Sequence, residues 1–131
     1  MKEKKIFSWL LRIVAAVILL QTLFFKFSAS PESVYIFSAV GIEPWGRIGT
    51  GVAELVAAVL LLIPSTIALG SVMGIGIMLG AIATHLFVLG IEVMNDGGQL
   101  FIYALIVLIA CCILLLQNRQ QLVLLKAKMN L

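Results

Sequence analysis

Four stretches of this chain, residues 6–27, 46–63, 67–89 and 100–116, are so apolar and so nearly free of charge that water cannot be their solvent. A helix crossing roughly 30 Å of hydrocarbon at ~1.5 Å per residue needs about 20 mostly apolar residues, and each stretch comes close to that length. Across all 131 residues 63% are hydrophobic and 11% charged, with a mean hydropathy of +1.19. A soluble domain of this size has too little interior to hide such a surface. The expected fold is therefore all-α: an integral membrane four-helix transmembrane bundle, one domain over residues 1–131.

The segments between the spans carry their own signals. Ser28-Ala29-Ser30 after an apolar run is the pattern of a cleaved signal peptide, but Lys26 just before it and the length of the run favour a retained first span. In the first loop Ser30 is a helix cap, Pro31 fits a first helical position, Glu32 suits the first turn, and Gly41 followed by Pro44 ends the segment. A short interfacial helix over about 31–41 is expected, with Val34, Phe37 and Val40 on one face and Tyr35 and Trp45 at headgroup depth. Pro64-Ser65-Thr66 allows only a tight turn, and the loop from Glu92 to Gly98 is polar and glycine-rich. The tail, 117–131, places Leu122, Leu125 and Met129 on one side and reads as an amphipathic surface segment.

The charge balance of +3 reflects basic residues gathered at the two ends. They form no stripe of the kind nucleic acid binds, so no nucleic-acid partner is expected. Lys2, Lys4 and Lys5 at one end and Arg119, Lys126 and Lys128 at the other mark both termini as cytoplasmic. The loop between the third and fourth spans has only Glu92 and Asp96, whereas Lys26 and Arg47 flank the first loop and mildly oppose the assignment. Small residues at four-residue spacing, Gly70 with Gly74, Gly76 with Gly80, and Ala53 with Ala57, suit close helix packing within one chain or between chains, so an oligomer through these faces stays open.

An ionisable group inside a span costs about 2.5 to 3.5 kcal/mol on insertion scales and needs a partner or a purpose. Glu54 lies about eight residues, roughly 12 Å, from the outer end of the second span. Gln21 and Thr22 reach a similar depth on an antiparallel first span, Arg47 sits two turns before Glu54, Lys26 ends the first span and His85 lies near the end of the third. Convergence of these groups predicts a polar pocket in the outer half of the bundle, with Arg47 as counter-ion. The competing reading is structural: Glu54 pairs with Lys26 or Arg47 only to make its burial tolerable. A buried carboxylic acid beside an imidazole suits proton exchange with a redox carrier such as a quinone, although neighbouring cations favour the ionised carboxylate instead. Arg12, early in the first span, is expected to snorkel toward headgroups.

Other chemistries lack their residues. One histidine cannot supply bis-histidine haem ligation, and no zinc, iron–sulfur or nucleotide-loop spacing occurs. Cys111 and Cys112, adjacent within an apolar run, read as packing residues. No metal and no intrinsic cofactor are expected, and nothing marks the chain as a self-sufficient enzyme.

Arg12 early and Lys26 late in the first span, Gly51-Val52-Ala53-Glu54-Leu55 in the second, Ala81 four residues before His85 in the third, and Gly97-Gly98 leading into the fourth together resemble the DoxX-like family of small membrane proteins. The resemblance covers Arg12 to about Leu116, with Leu23 standing where the family often has glycine. It implies a four-helix protein of the bacterial cytoplasmic membrane, some of whose relatives are associated with quinone-linked or thiol-linked oxidoreductase systems. The functional expectation is a redox-associated accessory subunit, partnered by the lipid bilayer and by membrane oxidoreductase subunits, that binds a quinone through Lys26, Glu54, His85, Arg47 and Gln21. The alternatives are a small carrier or exporter of an apolar or weakly acidic molecule, and an assembly factor without a ligand.

Overall fold

The computed structural model describes residues 2–129. Six helices follow one another: α1 (Lys2–Phe27), α2 (Pro31–Val40), α3 (Trp45–Leu62), α4 (Ile67–Thr84), α5 (Gln99–Gln117) and α6 (Arg119–Lys128). A 3₁₀ turn, Pro64–Thr66, joins α3 to α4, and a π-helical turn, His85–Leu89, extends α4. There is no strand among the described residues.

Four helical segments are long and apolar enough to cross a membrane: α1, α3, α4 with its flanking turns, and α5. Only 17% to 39% of the most apolar window of each is buried within the chain. Side chains such as Phe87, Phe24 and Trp45 stand outward at 84%, 64% and 69% exposure. That surface requires a lipid environment, since water would strip no apolar area from it.

The spans form a closed square in which α1 packs on α3 and α5, and α4 packs on the same two. Neighbours run antiparallel: the start of α1 meets the end of α3 through Arg12, and the end of α1 meets the start of α3 through Lys26. The seam is made of small residues, Ala15 and Ala16 on α1, Ala57 and Ala58 on α3, Ala104 and Ala110 on α5, with Leu19, Leu61, Val107 and Leu114 filling the centre. In lipid, where apolar burial between helices contributes little, alanine seams stabilise by letting backbones approach. Gly70 and Gly74 have the same use inside the chain. A Cβ on Gly70 would come within 2.9 Å of the Leu61 backbone nitrogen, and one on Gly74 within 2.6 Å of Cys111 Sγ. Gly76 and Gly80, expected to pack in the same way, have no neighbour within 4 Å of an added Cβ.

The first loop folds as its signals indicate. The Ser30 side chain accepts from the Ser33 N–H at the start of α2, and Gly41 at φ 88° closes the helix with its N–H on the Phe37 carbonyl. The buried face is Ser33 with Phe37, while Val40 is exposed to lipid or cavity rather than packed with Phe37. The helix as a whole leans on α3 and the π-turn.

Arg12 corrects an expectation. It does not snorkel outward but is 3% exposed, donating from Nε to the Leu61 carbonyl at 2.6 Å and from Nη2 to the Leu62 carbonyl at 2.8 Å, with Trp9 stacked 3.7 Å from its guanidinium. The last carbonyls of α3 have no intrahelical donor and carry the negative end of the helix dipole, so they bind the cation more strongly than water does at that depth. At the same end Gln121 holds α6 to the bundle, accepting from the Ala68 N–H at 2.9 Å and donating to the Pro64 carbonyl at 2.9 Å. The expected tail is thus helical and anchored through Arg119–Lys128, and residues 130 and 131 lie outside the described residues.

Candidate functional site

Away from the termini, α1, α3, α4, α5, the π-turn and α2 line a half-open cavity of about 1030 Å³. Its size matches the upper end of small-molecule sites. Most of the wall is apolar, supplied by Ile18, Phe25, Ile36, Phe37, Ile77, Met78 and Leu100 among others. Gly49, Gly76 and Gly80 line it, and none has an atom within 4 Å of the place a Cβ would take, so the missing side chains are cavity space.

One charged pair sits in this wall. Lys26 Nζ lies 2.7 Å from Glu54 Oε1, and Thr22 Oγ1 hydrogen-bonds Glu54 Oε2. The Glu54 side chain is 2% exposed and that of Lys26 17%, so the ammonium shields the carboxylate from the cavity. Close approach of α1 and α3 makes the pair: Gly51, one turn before Glu54, leaves room for the Phe27 ring, which would lie 2.6 Å from an added Cβ. That is the physical content of glycine three residues before the glutamate.

Arg47 differs from its expected part. It is 7% exposed, takes Glu43 as its carboxylate with Nε 2.9 Å from Oε1, and donates from Nη1 to the Lys26 carbonyl. It lies off the cavity wall and is not the counter-ion of Glu54. Glu43 is one helical turn away along the chain and more exposed, so pairing there costs less desolvation than joining Lys26 at Glu54. Arg47 still bears on the site, because its bond to the Lys26 carbonyl fixes the end of α1 from which Lys26 projects.

His85 opens the π-turn and is 5% exposed. Its backbone carbonyl accepts from the Gly90 N–H at 2.7 Å, and its Nδ1 lies 3.0 Å from the Gly90 carbonyl. A carbonyl can only accept, so Nδ1 carries the hydrogen and Nε2 of the neutral ring is the free acceptor. The ring stands edge-on to Phe101 at 5.5 Å and lines the cavity with Lys26 and Glu54. Gln21 also lines the wall and is exposed.

The loop after the π-turn is tied by Asp96, whose carboxylate accepts from the N–H groups of Val93 at 3.0 Å, Gly98 at 2.8 Å and Leu100 at 3.2 Å. Partial burial works against its charge, but the hydrogen bonds from the Val93, Gly98 and Leu100 N–H groups prevail and hold the carboxyl below its ordinary value. Asp96 so fixes the start of α5 beside the cavity. Sequence reasoning passed over it and over Glu43, although an acidic residue two before a Gly-led helix start is a capping signal.

Comparison with known proteins adds the lineage. No curated protein and no solved structure is found to match the chain. The model of the DoxX-like family matches residues 10–115, a range that runs through all four spans and includes Arg12, Lys26, Gly51, Glu54 and His85. With most of its length so matched, the chain belongs to the DoxX-like family.

Proposed function

We propose that this chain is a redox-associated accessory protein of a bacterial cytoplasmic membrane, binding a quinone in the cavity for a quinone-linked or thiol-linked oxidoreductase. One observation carries the reading: a cavity of about 1030 Å³ with a mostly apolar wall has an ion pair, Lys26 with Glu54, set into it. Such a site fits a molecule with a long apolar body and one compact polar head, and places the head where a donor is waiting. Family membership supports a membrane protein of this type. The orientation proposed has both termini cytoplasmic, because Lys2, Lys4 and Lys5 begin α1 at the end of the bundle where α6 carries Arg119, Lys126 and Lys128.

The test is purification of the full chain in mild detergent, followed by solvent extraction and chromatography of bound quinone. Retention near one quinone per chain, lost when Gly80→Leu fills the cavity at unchanged membrane abundance, supports the reading. A quinone-free protein whose removal leaves respiration unchanged but alters uptake of, or sensitivity to, a weak acid would replace it with a carrier. Loss of abundance in Glu54→Gln, with no ligand in the unaltered chain, would leave the charges an assembly role alone.

A further inference from the structure

The same cavity constrains the redox form of its ligand, an inference that rests on the quinone reading above. An ammonium has three hydrogens to donate. One of Lys26's is spent on Glu54 Oε1, and Lys26 lines the cavity, so two remain for a guest. Glu54 is placed oppositely: one oxygen faces Lys26, the other Thr22, and its side chain is 2% exposed. A head group entering the cavity therefore meets a donor at this point of the wall, while the strongest acceptor stands behind it.

We infer that the site recognises its ligand through a neutral carbonyl oxygen that accepts from Lys26, and so holds a quinone in preference to the quinol. A quinol hydroxyl also offers lone pairs, but its own hydrogen must then find an acceptor, and beside Lys26 both Glu54 oxygens are already engaged, one by Lys26 and the other by Thr22. A carboxylate head would bring a second anion beside Glu54. Glu54 acts through Lys26 as a positioning residue: it fixes the ammonium and keeps the local charge near zero, which selects a neutral head over a charged one.

The expected preference is about tenfold, the low end for a hydrogen bond from a charged donor. Tighter binding of the oxidised form by that factor lowers the two-electron potential of the bound carrier by about 30 mV. The experiment uses the full chain in detergent and two probes, decylbenzoquinone and decylbenzoquinol, titrated anaerobically by calorimetry. Quinone bound about tenfold more tightly, falling to near parity in Lys26→Met with Glu54→Gln, is the expected result. If that double variant does not fold, the carbonyl stretch of quinone bound to the unaltered chain decides, being lower than in empty micelles when Lys26 donates to it. Equal affinities, tighter quinol, or an unshifted carbonyl overturns this inference and leaves the quinone reading standing. Binding of neither probe overturns the quinone reading itself.

Discussion

Lys26→Met is the substitution that most sharply separates a working ion pair from an incidental one. It removes the ammonium 2.7 Å from Glu54 and leaves a carboxylate that is 2% exposed with Thr22 as its remaining partner. Breaking a buried pair from one side costs about 3 to 5 kcal/mol, because the surviving charge stays buried without compensation. The Thr22 hydrogen bond and the partial exposure of Lys26 place the expected loss near the lower figure, about 3 kcal/mol. Adding Glu54→Gln removes the stranded charge, so the double variant recovers most of that loss and the double-mutant cycle yields a coupling well above the ~0.5 kcal/mol of independent sites. The assay is reversible unfolding from mild detergent into sodium dodecyl sulfate, followed by far-ultraviolet circular dichroism. A Lys26→Met loss under about 1 kcal/mol, the range of exposed pairs, would refute the argument, for it would mean that lipid or water reaches Glu54 freely.

Arg12→Met is expected to cost about 3 kcal/mol in the same assay, since two charge-assisted bonds to Leu61 and Leu62 are lost; Arg12→Lys recovers only part, lacking the fork. Gly70→Val should destabilise by about 1 to 3 kcal/mol through overpacking against Leu61, whereas Gly76→Ala, facing open space, should be neutral or stabilising by up to about 1 kcal/mol. Asp96 has a folded pKa below its unfolded value, so its contribution is complete above the ordinary aspartate range and is lost as pH falls through the lowered value. Amide exchange at Gly98 and Leu100 should therefore show protection at pH 5 that weakens toward pH 2, and Asp96→Asn should cost about 1 kcal/mol and flatten that dependence.

The spans were legible because lipid enforces a single rule, a long apolar run per crossing. The expected 46–63 and 100–116 meet Trp45–Leu62 and Gln99–Gln117 in the structure, and Ser30 and Gly41 do bound the short helix between. Depth alone brought Thr22 level with Glu54, since the two helices are antiparallel and of known rise, and Thr22 does bond Glu54, while Lys26 reaches it from about a turn further out. Choices between equally placed partners were not legible. Arg47 had Glu54 two turns ahead and Glu43 one turn behind, and only the packing of α1 on α3 decides that Lys26 reaches Glu54 first. Arg12 turned inward because the end of α3 passes beside it, a fact of crossing geometry that no local pattern records. The glycines divide for the same reason: identical spacing gives Gly70 and Gly74 a neighbouring helix and Gly76 and Gly80 a cavity. The π-turn at His85 has no sequence signal of its own beyond Gly90 at φ 83°, where a left-handed residue closes the wide turn.

The account stands on one contact: two opposite charges, from α1 and α3, holding each other at the wall of a cavity within the bilayer. Solid-state nuclear magnetic resonance on the chain in lipid bilayers, with ¹⁵N in lysine side chains and ¹³C in glutamate carboxyls, reads it directly. A strong dipolar coupling between Lys26 Nζ and the Glu54 carboxyl, absent in Glu54→Gln labelled in the same way, is expected from the 2.7 Å separation. A spectrum in which no such coupling builds up, from protein fully incorporated in the bilayer, would contradict the account.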